Sequence, residues 1–118
     1  MRESYKLIDQ KNNLNVGTFH VLGFENEQYQ YGLEFNDNLR QLPAIFRLAD
    51  TYNNYSPALI KDWVETRVYP PDRQNIEEIL FAMGLESYDE LAILKYRKGR
   101  SVDNFWIDFT GEHVDAPV

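Results

Sequence analysis

Carboxylate, imidazole, hydroxyl and thiol groups carry most protein chemistry, and this chain supplies them unevenly. It has 19 acidic residues, 2 histidines and no cysteine. Without a thiol there is no disulfide framework, zinc–thiolate site, iron–sulfur cluster or cysteine nucleophile. His20 and His113 are far apart, with no HxxxH or HxE spacing around either. His20 falls in a strand pattern, where a packed or exposed strand histidine is the simplest reading. His113 stands beside Glu112 and near Asp115 and offers at most a weak adventitious metal contact. There is no GxGxxG, no Walker A loop and no serine in a GxSxG elbow. Glu77-Glu78 and Asp89-Glu90 are sequence neighbours, so they point in different directions around a helix. A catalytic carboxylate pair must instead converge, in unequal environments. The expectation is therefore a chain that is not an enzyme, with no catalytic residue, no metal ligand and no cofactor.

Charge narrows the partners. The formal net charge is −7, with the acidic excess mainly in the C-terminal half. Nucleic-acid affinity draws on lysines and arginines that displace counterions from phosphate, so this balance argues against broad binding to DNA, RNA or an anionic membrane. The one basic cluster is Lys95-Tyr-Arg-Lys-Gly-Arg100. It reads either as a helix end that complements the macrodipole or as a contact for phosphate or an acidic partner. No apolar run approaches the ~20 residues that span a bilayer. The opening Met1–Lys6 is polar and lacks a signal-peptide pattern, so a cytoplasmic location is expected.

The elements that would position any site follow from periodicity. Strands are expected near 4–8, 14–22, 28–35 and 104–109. The third is clearest: Tyr29, Tyr31, Leu33 and Phe35 alternate with Gln28, Gln30, Gly32 and Glu34. In the second, Val16, Thr18, His20 and Leu22 oppose Gly17, Phe19 and Val21, a pattern that suits cover on both sides. Residues 23–27 read as a turn. Leu39–Ala49 is a short helix or an irregular crossover, since Leu42, Ile45, Phe46 and Ala49 fit a helical stripe but Pro43 would have to sit in its first turn.

Three helices are expected near 57–67, 73–83 and 88–98. Ser56-Pro57 is an N-cap followed by proline, and Leu59, Ile60, Trp63, Val64 and Arg67 share one face. Tyr69-Pro-Pro71 ends that helix. Asp72 is placed to cap the second, which buries Ile76, Ile79, Leu80 and Met83 and stops at Gly84. Ser87-Tyr-Asp-Glu90 reads as a capping box for the third, which buries Tyr88, Leu91 and Leu94 and stops at Gly99. Strands, then helices, then a strand give an α+β fold: a small antiparallel sheet covered by helices on one side. Residues 1–110 are expected to form a single domain, with 111–118 a loose tail.

Residues 73–98 superficially resemble a helix-turn-helix. A recognition helix presents its N-terminus to DNA, and here that end carries Glu86, Asp89 and Glu90, which phosphate would repel. One core can absorb many of the 8 Tyr, 7 Phe and 2 Trp. Tyr52, Tyr55, Tyr69 and Tyr88 nevertheless fall near loops or helix ends, where a protein partner would reach them.

The stretches Ile60–Arg73, Ile79–Leu85 and Gly99–Ile107, with Val16-Gly-Thr-Phe19 and Tyr29–Phe35, resemble a small region found ahead of, or beside, HipA-like kinase domains in Firmicutes and their mobile elements. The resemblance spans about residues 14–109 and rests on short, degenerate motifs. It implies a non-catalytic accessory module, because the kinase chemistry of such systems lies in a larger domain. The positions it singles out for partner docking are Trp63, Arg67, Arg73, Arg100 and Trp106; with Tyr69 and Tyr88 from the aromatic surplus, the partner-binding candidates are Trp63, Arg67, Tyr69, Arg73, Tyr88 and Arg100. Arg67 and Arg73 flank the Pro-Pro turn, where each could equally clamp a carboxylate within the fold.

Three readings result. The first is a cytoplasmic protein-interaction module that binds a larger protein, a HipA-like kinase being the partner implied by resemblance. The second is a phage-encoded acidic inhibitor of a host nucleic-acid enzyme, of anti-CRISPR or anti-restriction type. The third is a DNA-binding regulator that uses residues 73–98. The first two involve no direct nucleic acid and no membrane, and the Gln28–Glu34 strand edge would allow a homodimer.

Overall fold

Alternating apolar residues build four antiparallel strands, and the helices pack on only one of the two faces so formed. The structure, a computed structural model, describes residues 2–11, 13–36, 44–47 and 55–110. Its elements are β1 (Glu3–Asp9), β2 (Leu14–Glu25), β3 (Gln28–Phe35), α1 (Ala44–Arg47), α2 (Pro57–Glu65), α3 (Ile76–Ala82), α4 (Glu90–Tyr96) and β4 (Phe105–Asp108). The strand order is β3-β2-β1-β4, so β3 and β4 are the edges among the described residues. The α+β class and the four strands agree with the sequence reading. α1 falls within the 39–49 stretch expected to be a short helix or crossover. The tail from 111 to 118 and the loop from 51 to 54 lie outside the described residues.

Register defines the faces. Tyr5 pairs with Phe19 and Phe19 with Leu33, while Leu7 pairs with Gly17 and Ile107. These side chains are buried with Trp63, Val64, Ile93 and Leu94 in one core. The opposite face of β2 carries Thr18 and His20, half-buried, and Leu22, exposed. Among the described residues, helices cover the Phe19 side of β2 and not the other, so the cover on both sides suggested by its apolar pattern is not seen there. On the other side Ser4, His20 and Glu34 form a cross-strand chain, with Ser4 Oγ 2.7 Å from His20 Nδ1 and His20 Nε2 3.1 Å from Glu34 Oε1.

β2 is longer than its pattern suggested. A bulge between Val21 and Gly23 skips Leu22, so Gly23 pairs with Gln30 and Phe24 with Tyr29. An extra residue reverses the phase of the alternation. Phe24 thereby leaves the face of Leu22 and meets the Tyr29 ring, at 4.7 Å between centroids. The turn contracts to Asn26-Glu27, whose φ values of 53° and 64° fit a two-residue type I′ hairpin.

Helix ends also differ in detail. Ser56 caps α2 as expected, accepting the Leu59 N–H. α3 begins after Asn75, not Asp72, and Asn75 adopts a left-handed conformation without a side-chain cap. The expected Ser87 capping box does not form. Asp89 caps α4 by accepting the Ala92 N–H, and Glu90 becomes its first residue. The C-terminus of α3 is a Schellman turn: the Leu85 N–H reaches the Leu80 carbonyl and Gly84 takes φ 77°. α4 ends the same way, with Lys98 rather than Gly99 in the left-handed C′ position. Gly99 is required for another reason as well: a β-carbon there would lie 2.7 Å from Ile107 Cδ1. Glycine thus lets the end of α4 close onto β4, where the Lys98 carbonyl accepts the Ile107 N–H at 2.9 Å.

The I′ turn generates a test. Glu27 holds a left-handed angle that glycine adopts without steric cost, offset by glycine's greater freedom in the unfolded chain. Glu27→Gly is expected to raise unfolding stability by about 0.5–1 kcal/mol in urea melts. An unchanged or lowered midpoint would show that the turn is not I′.

Candidate functional site

Arg67 follows α2 and lies on its buried face. Its side chain has 0% exposure, and Trp63, one turn earlier, has 2%. The guanidinium stacks on the Trp63 ring at 4.0 Å from the centroid. Its Nη2 donates to both oxygens of Asp103, at 2.8 and 2.6 Å. Desolvating a guanidinium costs several kcal/mol. The Asp103 pair and the Trp63 face oppose that cost, the latter by about 2 kcal/mol for a desolvated stack. Burial pushes the Arg67 pKa down to about 10, with Asp103 holding it up and the like charge of Arg97 pulling it further down. Arg67 Nε, Arg67 Nη1 and Trp63 Nε1 have no hydrogen-bond partner among the described residues.

This burial corrects two of the six positions singled out for partner binding. Trp63 and Arg67 cannot touch a partner, because they are inside the core. Arg67 is the carboxylate clamp of the alternative reading, and its carboxylate is Asp103.

The remaining positions lie at the surface, and three converge. Tyr69 carries two guanidinium groups over its ring, Arg73 and Arg97, each 4.7 Å from the centroid. The Tyr88 hydroxyl donates to the Tyr69 carbonyl, which ties the loop before α4 to the turn after α2. Neither Arg73 nor Arg97 forms an ion pair with another described residue, whose ion pairs are His20–Glu34, Lys61–Glu90, Arg67–Asp103 and Lys95–Glu3. Arg100 stands apart from this stack. It lies over Trp106 at 5.1 Å and donates to Gln10. Sequence reasoning left Arg97 inside a generic basic cluster; its place opposite Arg73 depends on where the Pro-Pro turn leads.

Tyr88 also opens onto a second feature. It helps line a cavity of about 260 Å³ between the β2–β3 hairpin and the start of α4, with Phe24, Tyr29, Lys61, Asp89 and Glu90. The Tyr29 hydroxyl donates to Asp89 Oδ1 at 2.9 Å, and the Tyr31 hydroxyl to Glu90 Oε1 at 2.7 Å. Lys61 also meets Glu90 Oε1, at 2.6 Å. The end of α4 that a DNA-reading helix would turn outward is thus bonded to β3 and α2, and seven residues separate α3 from α4. The alternation in β3 marked Tyr29 as inward-facing, but nothing local announced its carboxylate partner.

These contacts shift the phenols. Burial, then the Asp89 hydrogen bond and nearby carboxylate charge, push Tyr29 up to about 12. Burial, then the Glu90 and Glu65 charges, push Tyr88 up to about 12. Tyr31 is raised further, by burial and its Glu90 hydrogen bond.

Among the described residues no group of three or more His, Asp or Glu side chains is arranged to hold a metal ion, and no helix is long and apolar enough to cross a membrane. No protein-family model, curated protein or solved structure matches the chain.

The raised phenols fix a pH response. An unfolded tyrosine loses its proton near 10.0, whereas these three retain theirs in the fold. Their stabilisation is complete below pH 10 and falls as pH climbs towards about 12. Arg67 acts oppositely above pH 10, because its folded value lies below the unfolded one. Three phenols against one guanidinium leave a net loss. Urea midpoints should fall between ~pH 10 and ~pH 12, and Tyr31→Phe should flatten the fall. A midpoint constant over that range would contradict the buried phenol–carboxylate pairs.

Proposed function

We propose that the chain is a non-catalytic protein-interaction module that docks on an acidic surface of a larger protein through Tyr69, Arg73, Tyr88 and Arg97. One observation carries the reading. In a chain of net charge −7, two arginines stack on one tyrosine and remain unpaired with any described carboxylate. Contact with the ring restrains each guanidinium before a partner arrives, so less side-chain freedom is lost on binding. Tyrosine and arginine are also the residue types that dominate the energetics of interfaces.

A HipA-like kinase is the partner to which the family resemblance points, and this part of the proposal rests on that resemblance alone. The Ser4–His20–Glu34 chain does not alter the non-catalytic reading. Ser4 is the second residue of β1, opposite His20 in the sheet, without the strand-to-helix turn that presents a nucleophile. The acidic-inhibitor reading has less support. Asp89, Glu90 and Glu3 are bonded within the fold and Asp103, though exposed, is paired with Arg67, which reduces the charge available to imitate a phosphate backbone. A second copy adding a strand along the outer edge of β3 would make a homodimer.

The test is a tagged pull-down from lysate of the source organism, with bound proteins identified by mass spectrometry. Three baits run in parallel: the unaltered chain, an Arg73→Glu/Arg97→Glu variant and a Lys6→Glu variant on the open sheet face. A partner retained by the first and third and depleted at least ~10-fold from the second supports docking through the stack, since juxtaposed like charges cost several kcal/mol. Equal retention by all three would contradict it.

A further inference from the structure

The cavity beside Tyr88 has the composition of a receptor for one cationic side chain. Three aromatic rings, Phe24, Tyr29 and Tyr88, contribute to its wall. Phe24 is 59% exposed and is held against Tyr29 with the rings tilted by 58°. An exposed phenylalanine at the edge of an open hollow is costly to leave uncovered, and the β-bulge is what places it there.

The same wall carries the cation Lys61 together with Asp89 and Glu90, two carboxylates with acceptor capacity to spare. Asp89 uses Oδ1 for both the Tyr29 hydroxyl and the Ala92 N–H. Glu90 uses Oε1 for both Tyr31 and Lys61. Asp89 Oδ2 and Glu90 Oε2 therefore take no hydrogen bond from any described residue. Lys61 neutralises one carboxylate and leaves the other without a cation. Aromatic faces attract cations, and carboxylate oxygens accept N–H groups. A guanidinium satisfies both, because it stacks flat on a ring while its edge donates. The volume of about 260 Å³ suits a single side chain and falls below the usual range for drug-sized ligands.

We propose that the Phe24–Tyr29–Tyr88 cavity binds an arginine side chain of the partner protein, with the guanidinium on the aromatic wall and its N–H groups on Asp89 Oδ2 and Glu90 Oε2. This rests on the interaction-module reading and names the chemistry of one contact within it. The docked surface would then be acidic where it meets Arg73 and Arg97 and would carry an arginine where it meets the cavity.

The test uses the isolated chain and needs no partner. N-acetyl-arginine N-methylamide is titrated into isotope-labelled protein and followed by backbone amide shifts, with the lysine and citrulline analogues as controls. The expected result is saturable shifts at Tyr29, Tyr88 and Asp89 in the millimolar range for arginine, at least ~3-fold weaker for lysine and absent for citrulline. Phe24→Ala, at an exposed position, should keep the remaining spectrum and weaken arginine binding about three- to fivefold. Shifts of equal size with lysine, no saturable shift with arginine, or full binding by Phe24→Ala would each overturn the proposal. A negative titration leaves partner capture through Arg73 and Arg97 standing, and failed capture leaves the titration standing.

Discussion

A buried positive charge governs how the second half of the chain is arranged. Arg67 cannot be left unpaired in the core, so Asp103 must approach it. Asp103 Oδ1 also accepts the Phe105 N–H at 3.1 Å, which sets the first residue of β4. Ser101 adds a second tie from the same loop, donating to the Thr66 carbonyl at 2.9 Å. The end of α2 and the start of β4 are therefore fixed by one cluster. β4 then pairs with β1, Leu7 opposite Ile107, and closes the sheet on that side. The path from α2 to α4 must fit within this closure. That requirement brings Tyr69 beneath Arg73 and Arg97, and Tyr88 against the Tyr69 carbonyl.

The sheet divides the molecule by chemistry. Its open face is a polar surface crossed by the Ser4–His20–Glu34 chain, stabilising three strands against one another. Its covered face supplies Tyr29 and Tyr31, whose hydroxyls reach past the apolar core to Asp89 and Glu90. The carboxylates thus orient α4 as well as cap it. Next to this acidic, aromatic hollow lies the stacked arginine pair. Opposite charges set side by side specify orientation on a partner better than a uniform patch would.

Much of the fold was legible because strand and helix periods differ. The alternation through Tyr29, Tyr31, Leu33 and Phe35 identified β3, and the spacing of Ile60, Trp63, Val64 and Arg67 identified the buried face of α2. That face also carried the clue to Arg67, since an arginine on an apolar stripe must find a partner. The partner itself is 36 residues away, and no local pattern names it. Phe24 was missed because a single skipped residue in β2 reverses which face it occupies. Ser87 and Asp72 were preferred as caps on local chemistry, whereas tertiary bonds from Tyr29 and Tyr31 draw Asp89 and Glu90 to the start of α4 instead. Surface residues were the least legible: Tyr69 and Tyr88 were noted for their type, but their convergence is a property of the folded path.

The most direct test of this account is a double-mutant cycle between Arg67 and Asp103, using Arg67→Met, Asp103→Asn and the double variant in urea unfolding. If the pairing of buried Arg67 with the solvent-facing Asp103 organises the α2–β4 junction, the two substitutions should be strongly non-additive, with a coupling of about 2 kcal/mol and the double variant less destabilised than the sum of the singles. Additivity within ~0.5 kcal/mol would mean that the two side chains act independently, and the junction would then need a different cause.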